Sequence, residues 1–155
     1  FIAKNDFPKA IEYLHYAVIG ENIDKEILAE WFYELAVLSS ATKDYCEAIK
    51  NAREAILNKN DYGKAYISLG DAIIASRSNL GDDFEQRTAF WVAADMYAKA
   101  ASVDPSVAAE ANQKINDYAG QYPHNEDVFF RDLKDGDSYT VAGCINESTT
   151  VRSRK

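Results

Sequence analysis

The sequence predicts an all-α fold of stacked helical hairpins, and three observations lead to that prediction. The first is a pattern that occurs three times, an aromatic residue followed by small residues at helical spacing. The second is a helix-ending residue after each copy, namely Asn22, Asn60 and Pro105. The third is the spacing of the copies, about 38 and 45 residues, which is typical of helix pairs that stack. The three copies are Phe7, Ala10, Leu14 and Ala17, then Tyr45, Ala48, Ala52 and Ala55, then Phe90, Ala93, Tyr97 and Ala100.

Composition limits the possible classes of function. The 155 residues, 47% of them hydrophobic, suffice for one folded domain with its own core. The formal net charge of −8 disfavours binding to nucleic-acid phosphates. No apolar run reaches the roughly 18 residues that a transmembrane helix needs. Because the chain opens with Phe1 and not with methionine, we expect it to be part of a longer protein.

The two cysteines, Cys46 and Cys144, lie far apart in the sequence. Neither belongs to a C-x-x-C pair, so the sequence predicts no metal site and no redox motif. We expect two small, partly buried thiols, with a disulfide between them as the less favoured alternative.

The most complete hairpin is predicted between Asp24 and Leu57, with helices over about 24–40 and 45–57. The first helix has apolar residues on one face at a period of 3.6. Small residues on both helices predict a close approach of the two backbones: Ala36, Ala48 and Ala55.

The next hairpin, 63–107, is lengthened at 76–88. Asp82 followed three residues later by Glu85 resembles a capping box, which predicts a long helix from there to about Ser102. Two interpretations of the extra residues stay open, helices longer by one or two turns and a protruding loop.

Gly70 lies within the first helix of this lengthened hairpin. A glycine there costs about 1 kcal/mol relative to alanine. We expect close packing against Ala93 and Ala100 to require it.

Both ends of the chain depart from the repeat. Residues Asn5 to Ile19 predict only the second helix of an earlier pair, so the first repeat is truncated.

After Pro105 the pattern predicts a helix over 106–119 and a short helix that Asn125 caps. The tail is rich in β-formers and predicts a β-hairpin or an extended segment, with a tight turn at Asn146-Glu147. The predicted organisation is therefore a helical array at 1–134 and a β-rich tail at 135–155 packed on it.

Two successive hairpins carry aromatic, leucine and small residues at matching positions: Phe32, Leu35, Ala36, Ala48, Ala55 and Asn60, then Tyr66, Leu69, Gly70, Ala93, Tyr97, Ala100 and Pro105. These residues resemble the signature of the tetratricopeptide repeat (TPR) family. The resemblance implies antiparallel helix pairs in a right-handed solenoid that binds other proteins on its concave face. The chain departs from the signature at 76–88, at Ala52 and at Ser39.

Three segments near the C-terminus are more distinctive, 129–132, 138–141 and 145–152. They resemble the C-terminal end of a group of Bacteroidetes TPR proteins that generally carry an export signal. The resemblance implies a bacterial, extracytoplasmic protein, periplasmic or otherwise exported, and assigns no molecular activity.

The sequence predicts no catalytic, cofactor or metal site. His15 and His124 lie far apart and belong to no cluster with metal-ligand spacing. The acidic residues near Asp82 lack the regular oxygen spacing of a calcium loop, so we interpret them as a helix cap. We therefore expect a protein that is not an enzyme.

The TPR resemblance places a binding groove on the first helix of each pair. The implied partner-binding residues are Glu30, Tyr33, Val37 and Ser40, then Lys64, Ile67, Asp71 and Ile74, and then Asn112 and Asn116 from the following helix. TPR modules that hold a carboxylate use Lys and Asn at the fifth and ninth repeat positions. This chain has Tyr33, Val37, Ile67 and Asp71 there, so the resemblance disfavours a carboxylate clamp. The mixed apolar and acidic face predicts a protein or peptide partner with apolar anchors and basic residues. As an alternative, Val37 and Ile67 contact neighbouring helices within the array.

These observations predict a non-catalytic protein–protein interaction scaffold. An alternative is an accessory or carbohydrate-handling component with a ligand site near 76–91, which an aromatic-lined pocket between Asp82 and Trp91 would favour. A third is a purely structural continuation of a longer superhelix. We also expect self-association through the truncated half-repeat, because Ile11, Leu14 and Val18 lack a covering helix.

Overall fold

The computed structural model describes residues 6–155, which form a mostly helical array with a small two-stranded antiparallel sheet. Consecutive helices from α1 to α6 pack against one another along the chain. The predicted helix start at Asn5 lies outside the described residues. The helices are α1 (Phe7–Val18), α2 (Lys25–Ala41), α3 (Tyr45–Asn58), α4 (Gly63–Ala75), α5 (Asp83–Val103), α6 (Ala108–Tyr118) and α7 (Asn125–Phe130), and the strands are β1 (Ser138–Val141) and β2 (Glu147–Thr150).

The ends of the first complete hairpin follow from its capping residues. The Asp24 carboxylate accepts a hydrogen bond from the backbone N–H of Glu26 at 2.9 Å and starts α2. The Asp44 carboxylate does the same for α3 at the N–H of Glu47, at 3.3 Å. Lys43, with a φ of 63°, makes the sharp turn between the two helices. Both helices therefore span nearly the ranges predicted from periodicity.

The extra residues at 76–88 lengthen helical structure, so of the two open interpretations that of longer helices is confirmed and that of a protruding loop is wrong. A short 3-10 turn, Ser76–Asn79, continues α4. The capping box at the start of α5 is confirmed, because Asp82 accepts from the N–H of Glu85 and Glu85 accepts from the N–H of Asp82, both at 2.9 Å. α5 is consequently the longest helix in the described part of the chain, with 21 residues.

The core lies between α3, α4, α5 and α6 and extends beneath the C-terminal hairpin. Trp91 and Tyr97 of α5 are fully buried within it. A Cβ atom at Gly70 would lie 2.6 Å from Cε1 of Tyr97. Gly70 is therefore required by the ring of Tyr97, and not by Ala93 and Ala100 as expected.

A disulfide joins Cys46 at the start of α3 to Cys144 in the hairpin loop, with a Cα–Cα distance of 5.6 Å. The expectation of two free thiols is wrong. The pairing was not apparent from the sequence because 98 residues separate the two cysteines. Arg53 of α3 reinforces the link, since its guanidinium donates to the carbonyl of Cys144 at 3.3 Å and pairs with Glu147 at 3.2 Å.

The C-terminal hairpin also docks on α5. The indole N–H of Trp91 donates to the carbonyl of Arg152 at 2.6 Å. The Arg152 guanidinium in turn donates to the backbone carbonyl of Trp91 and to the carboxylate of Asp95, both at 2.8 Å. Val141, Ile145 and Val151 are buried at this contact. The tail at 135–155 is thus held by covalent, polar and apolar contacts.

Two local features of this segment differ from prediction. Strand pairing runs from Ser138 with Thr150 to Val141 with Glu147, so the turn comprises 142–146 and the predicted tight turn at Asn146-Glu147 is wrong. The cap of α7 is His124, whose Nδ1 accepts from the N–H of Glu126 at 3.3 Å, and not Asn125.

At the other end, α1 packs on α2 with little burial. Ala10 is the only buried residue of α1, while Ile11, Leu14 and Val18 are half-buried. Tyr16 and Ile19 are exposed. Within residues 6–155, no helix has the length and apolarity needed to cross a membrane.

Candidate functional site

An open pocket of about 370 Å³ lies between α2, α4 and α6. The residues from α2 and α4 recur at intervals of three and four, so they lie on one face of each helix. The pocket is lined by Tyr33, Val37 and Ser40 of α2, Lys64, Ile67, Ser68 and Asp71 of α4, and Glu110 of α6. The structure therefore brings together most of the predicted partner-binding residues of α2 and α4.

The other predicted residues lie outside the lining of this pocket. Glu30 is exposed one turn before Tyr33, and Ile74 is buried in the core. Asn112 and Asn116 are exposed on α6, whereas the residue that α6 contributes is Glu110. Sequence reasoning missed Glu110 because the repeat pattern is weak in this helix.

The two aliphatic residues of the pocket have different surroundings. Ile67 is only 6% exposed and belongs to the core, so it forms the floor of the pocket. Val37 is 40% exposed and faces solvent. The alternative interpretation, in which these two residues contact neighbouring helices within the array, therefore holds for Ile67 and not for Val37.

A polar cluster fixes one wall of the pocket. The Asp71 carboxylate accepts from the Tyr97 hydroxyl at 2.6 Å and from the Lys114 ammonium at 3.0 Å. Burial, followed by the hydrogen bond to Asp71, raises the pKa of Tyr97, which keeps its hydroxyl a neutral donor. Partial burial acts to lower the pKa of Lys114, but the bond and charge of Asp71 outweigh it and the pKa is raised. Asp71 is thus held in place at the pocket.

An aromatic pair lies beside the pocket, Tyr33 of α2, which lines it, and Tyr62, which directly precedes α4. The rings of Tyr33 and Tyr62 lie 5.3 Å apart between centroids. Burial and then the charge of Glu34 raise the pKa of Tyr33, with smaller effects from Glu110 and Asp71. Burial is also the main cause that raises the pKa of Tyr62 to about 12. Carboxylates therefore lie near both rings, together with the ammonium of Lys59, 5.4 Å over the ring of Tyr62, and with Lys64 in the pocket lining.

The other titratable residues considered in the sequence analysis make contacts that explain them as structural residues. His15 lies on exposed α1, with Nε2 3.5 Å from a carboxylate oxygen of Glu47. The hydrogen bond from the N–H of Glu85, and then the Arg131 guanidinium, lower the pKa of Asp82. Among residues 6–155, no three His, Cys, Asp or Glu side chains are grouped so as to hold a metal ion.

The aromatic residues of the lengthened hairpin mostly serve the core. Trp91 is fully buried, and the ring of Phe84 packs edge-on against it with centroids 6.0 Å apart. Tyr139 of β1 completes the cluster at 5.6 Å from Trp91. A second open pocket, of about 590 Å³, lies beside the start of α5 and α7, and Phe130 is its exposed aromatic residue.

The sequence matches no protein-family model and no curated protein. The geometry and charge of the pockets are therefore the observations from which a function can be inferred. The pocket between α2, α4 and α6 offers apolar contact at Tyr33 and Val37 beside the carboxylate of Glu110, while that of Asp71 is paired with Lys114. Such a surface suits non-covalent binding of a group that is partly apolar and partly positive.

Proposed function

We propose that the chain is a TPR-type interaction scaffold that binds a segment of a partner protein in the pocket between α2, α4 and α6, without catalysing a reaction. The observation that carries the proposal is that one open pocket holds the exposed Val37 and the half-buried ring of Tyr33 beside the carboxylate of Glu110. An apolar side chain of the partner packs on Tyr33 and Val37. A neighbouring Lys or Arg pairs with Glu110, since Asp71 is already paired with Lys114, and charge complementarity speeds association.

Packing supports the TPR-type solenoid in this proposal. Consecutive helices pack in sequence order, as stacked hairpins require. Gly70 and Tyr97, which both belong to the positions that resemble the TPR signature, are in direct contact between α4 and α5. The right-handed superhelix and its concave face are part of the proposal.

The disulfide supports a location outside the cytoplasm. Structural disulfides persist in oxidising compartments and are rare where thioredoxin and glutathione keep thiols reduced. The bond between Cys46 and Cys144 is accordingly consistent with the exported, periplasmic-type location that the resemblance implies. We include that location in the proposal.

The alternative of a carbohydrate-handling site near 76–91 has less support. Aromatic side chains that stack on sugars must be open to solvent. Trp91 and Phe84 of that segment are both buried, and the indole N–H of Trp91 is already bonded to Arg152.

The proposal is tested with peptides selected from a random-sequence display library on the wild-type chain. We expect enrichment of peptides that combine Leu, Ile or Phe with Lys or Arg. The double variant Tyr33→Ala and Val37→Ala should bind them about tenfold or more weakly, because apolar anchors carry much of the energy of an interface. Raising the salt concentration should weaken binding to the wild type.

The matched control is Ile27→Ala, an exposed aliphatic residue of the same helix outside the pocket. Ile67 is left intact, because truncating a buried side chain would leave a cavity and lower stability. Circular dichroism checks that each variant is folded. Enrichment of acidic peptides, or equal affinity of the folded double variant, would contradict the proposal.

A further inference from the structure

A second apolar surface lies on α7, which we call the diphenylalanine patch and define as Phe129 and Phe130. The two side chains are 75% and 81% exposed, and their rings meet edge to face with centroids 6.2 Å apart. No residue of this patch lines the pocket between α2, α4 and α6. The patch is therefore separate from the site proposed above.

The segment that carries the patch is anchored. Val128, which directly precedes the patch on α7, is buried in the core. The N–H of Asn125 donates to the carbonyl of Arg154 at 3.0 Å, and the N–H of Arg154 donates to the carbonyl of Pro123 at 3.0 Å. A rigid support of this kind lowers the entropic cost of binding, because the side chains are already in place.

Carboxylates surround the patch. Asp127 and Phe130 line the pocket beside the start of α5 together with Asp82 and Asp83, and Glu126 lies next to Phe129 and Phe130 in a neighbouring pocket. The guanidinium of Arg131, which could offset this charge, is already paired with Asp82 and lies 4.3 Å over the ring of Phe84. Among the ion pairs of the described residues, none involves Glu126 or Asp127. The rim of the patch therefore has a negative charge that is not neutralised within residues 6–155.

We infer that the diphenylalanine patch is a second docking surface, for a partner segment in which an apolar anchor is flanked by Lys or Arg. The apolar anchor covers Phe129 and Phe130, and the basic residues pair with Glu126 and Asp127. Two other occupants fit the charge less well. A second copy placed on the same patch would bring like carboxylates together, and an anionic membrane surface would repel them.

The test uses the complete chain with Tyr33→Ala and Val37→Ala, which weaken binding at the other pocket. The probes are three synthetic peptides of equal length, with leucines flanked by lysines, leucines flanked by glutamates, and lysines flanked by serines. Amide chemical shifts are recorded during titration. We expect the leucine–lysine peptide alone to shift the signals of 125–132. The further change Phe129→Ala with Phe130→Ala should weaken its binding about tenfold, and Asp127→Asn should weaken it less.

Leu57→Ala, an equally exposed apolar residue on α3, is the matched control and should leave binding unchanged. The variants of Phe129 and Phe130 should keep their melting temperature, because both side chains are exposed.

The inference is overturned if the leucine–glutamate peptide binds with the same affinity, or if no peptide shifts the signals of α7. It is also overturned if an oligosaccharide, phosphatidylcholine vesicles or a second copy of the chain is what occupies the patch. Because the readout is the signals of α7 in a chain whose other pocket is weakened, failure here leaves the proposed function at Tyr33 and Val37 untouched.

Discussion

The C-terminal hairpin and α1 lie at opposite ends of the described chain, and they are held in different ways. The hairpin is joined to α3 by the Cys46–Cys144 disulfide and docks on α5 through Trp91. α1 packs on α2 through half-buried aliphatic side chains, and Ala10 is its only buried residue.

The comparison separates the type of an element from the strength of its attachment. The apolar periodicity of α1 predicts a helix clearly, yet the helix contributes little to the core. A two-stranded hairpin is marginally stable by itself, yet this one is bonded to two helices. Local pattern thus predicts which element forms, and contacts between distant residues decide how firmly it is held.

The largest expected effect comes from removing the disulfide. Changing Cys46→Ser together with Cys144→Ser should lower the free energy of unfolding by about 2–5 kcal/mol, because the cross-link restricts a long loop in the unfolded chain. Urea unfolding measures the change. Wild-type protein in reducing agent should show the same loss, and hydrogen exchange of α1 should not change. A free energy of unfolding unchanged by either treatment would mean that non-covalent contacts alone hold the hairpin.

A smaller effect is expected from Trp91→Phe. The substitution removes the indole N–H and leaves the carbonyl of Arg152 without that donor in a part-buried position. An unsatisfied buried acceptor costs about 1–3 kcal/mol, to which the lost side-chain volume adds. The half-buried Trp31 of α2 provides the control, since Trp31→Phe should cost less in the same urea experiment. Equal losses for the two tryptophans would contradict the role given to the bond to Arg152.

The same distinction explains how much of the structure could be predicted from the sequence. The helices could be predicted because their signals are local: periodic apolar residues, and caps such as Asp24 and the pair Asp82 and Glu85. The disulfide and the contact of Trp91 with the tail could not, because they join residues brought together only by the complete fold.

The candidate site shows the same difference between what could be predicted from the sequence and what could not. The pocket-facing residues of α2 and α4 follow from helical spacing and the TPR resemblance, so Tyr33, Val37 and Asp71 were predicted to lie together. The bonds of Asp71 to Tyr97 and Lys114 were not, because they connect three helices. The exposure of Phe129 and Phe130 also follows from the fold, since a six-residue helix has too few turns to show a periodic face.

The smallest effect is expected at the other end of the comparison, in α1. Leu14→Ala removes a half-buried side chain from the contact with α2 and should cost about 1 kcal/mol, less than a fully buried leucine would. Because α1 is weakly attached, the loss should appear mainly as faster hydrogen exchange of its own amides, through local opening. Exchange in the hairpin and in α5 should stay unchanged. Sedimentation at rising concentration then tests self-association, which should increase as α1 opens and exposes the face of α2 that it covers. A loss of several kcal/mol with uniform exchange across the chain would show that α1 belongs to the same cooperative unit as the core, and the contrast with the hairpin would have to be abandoned.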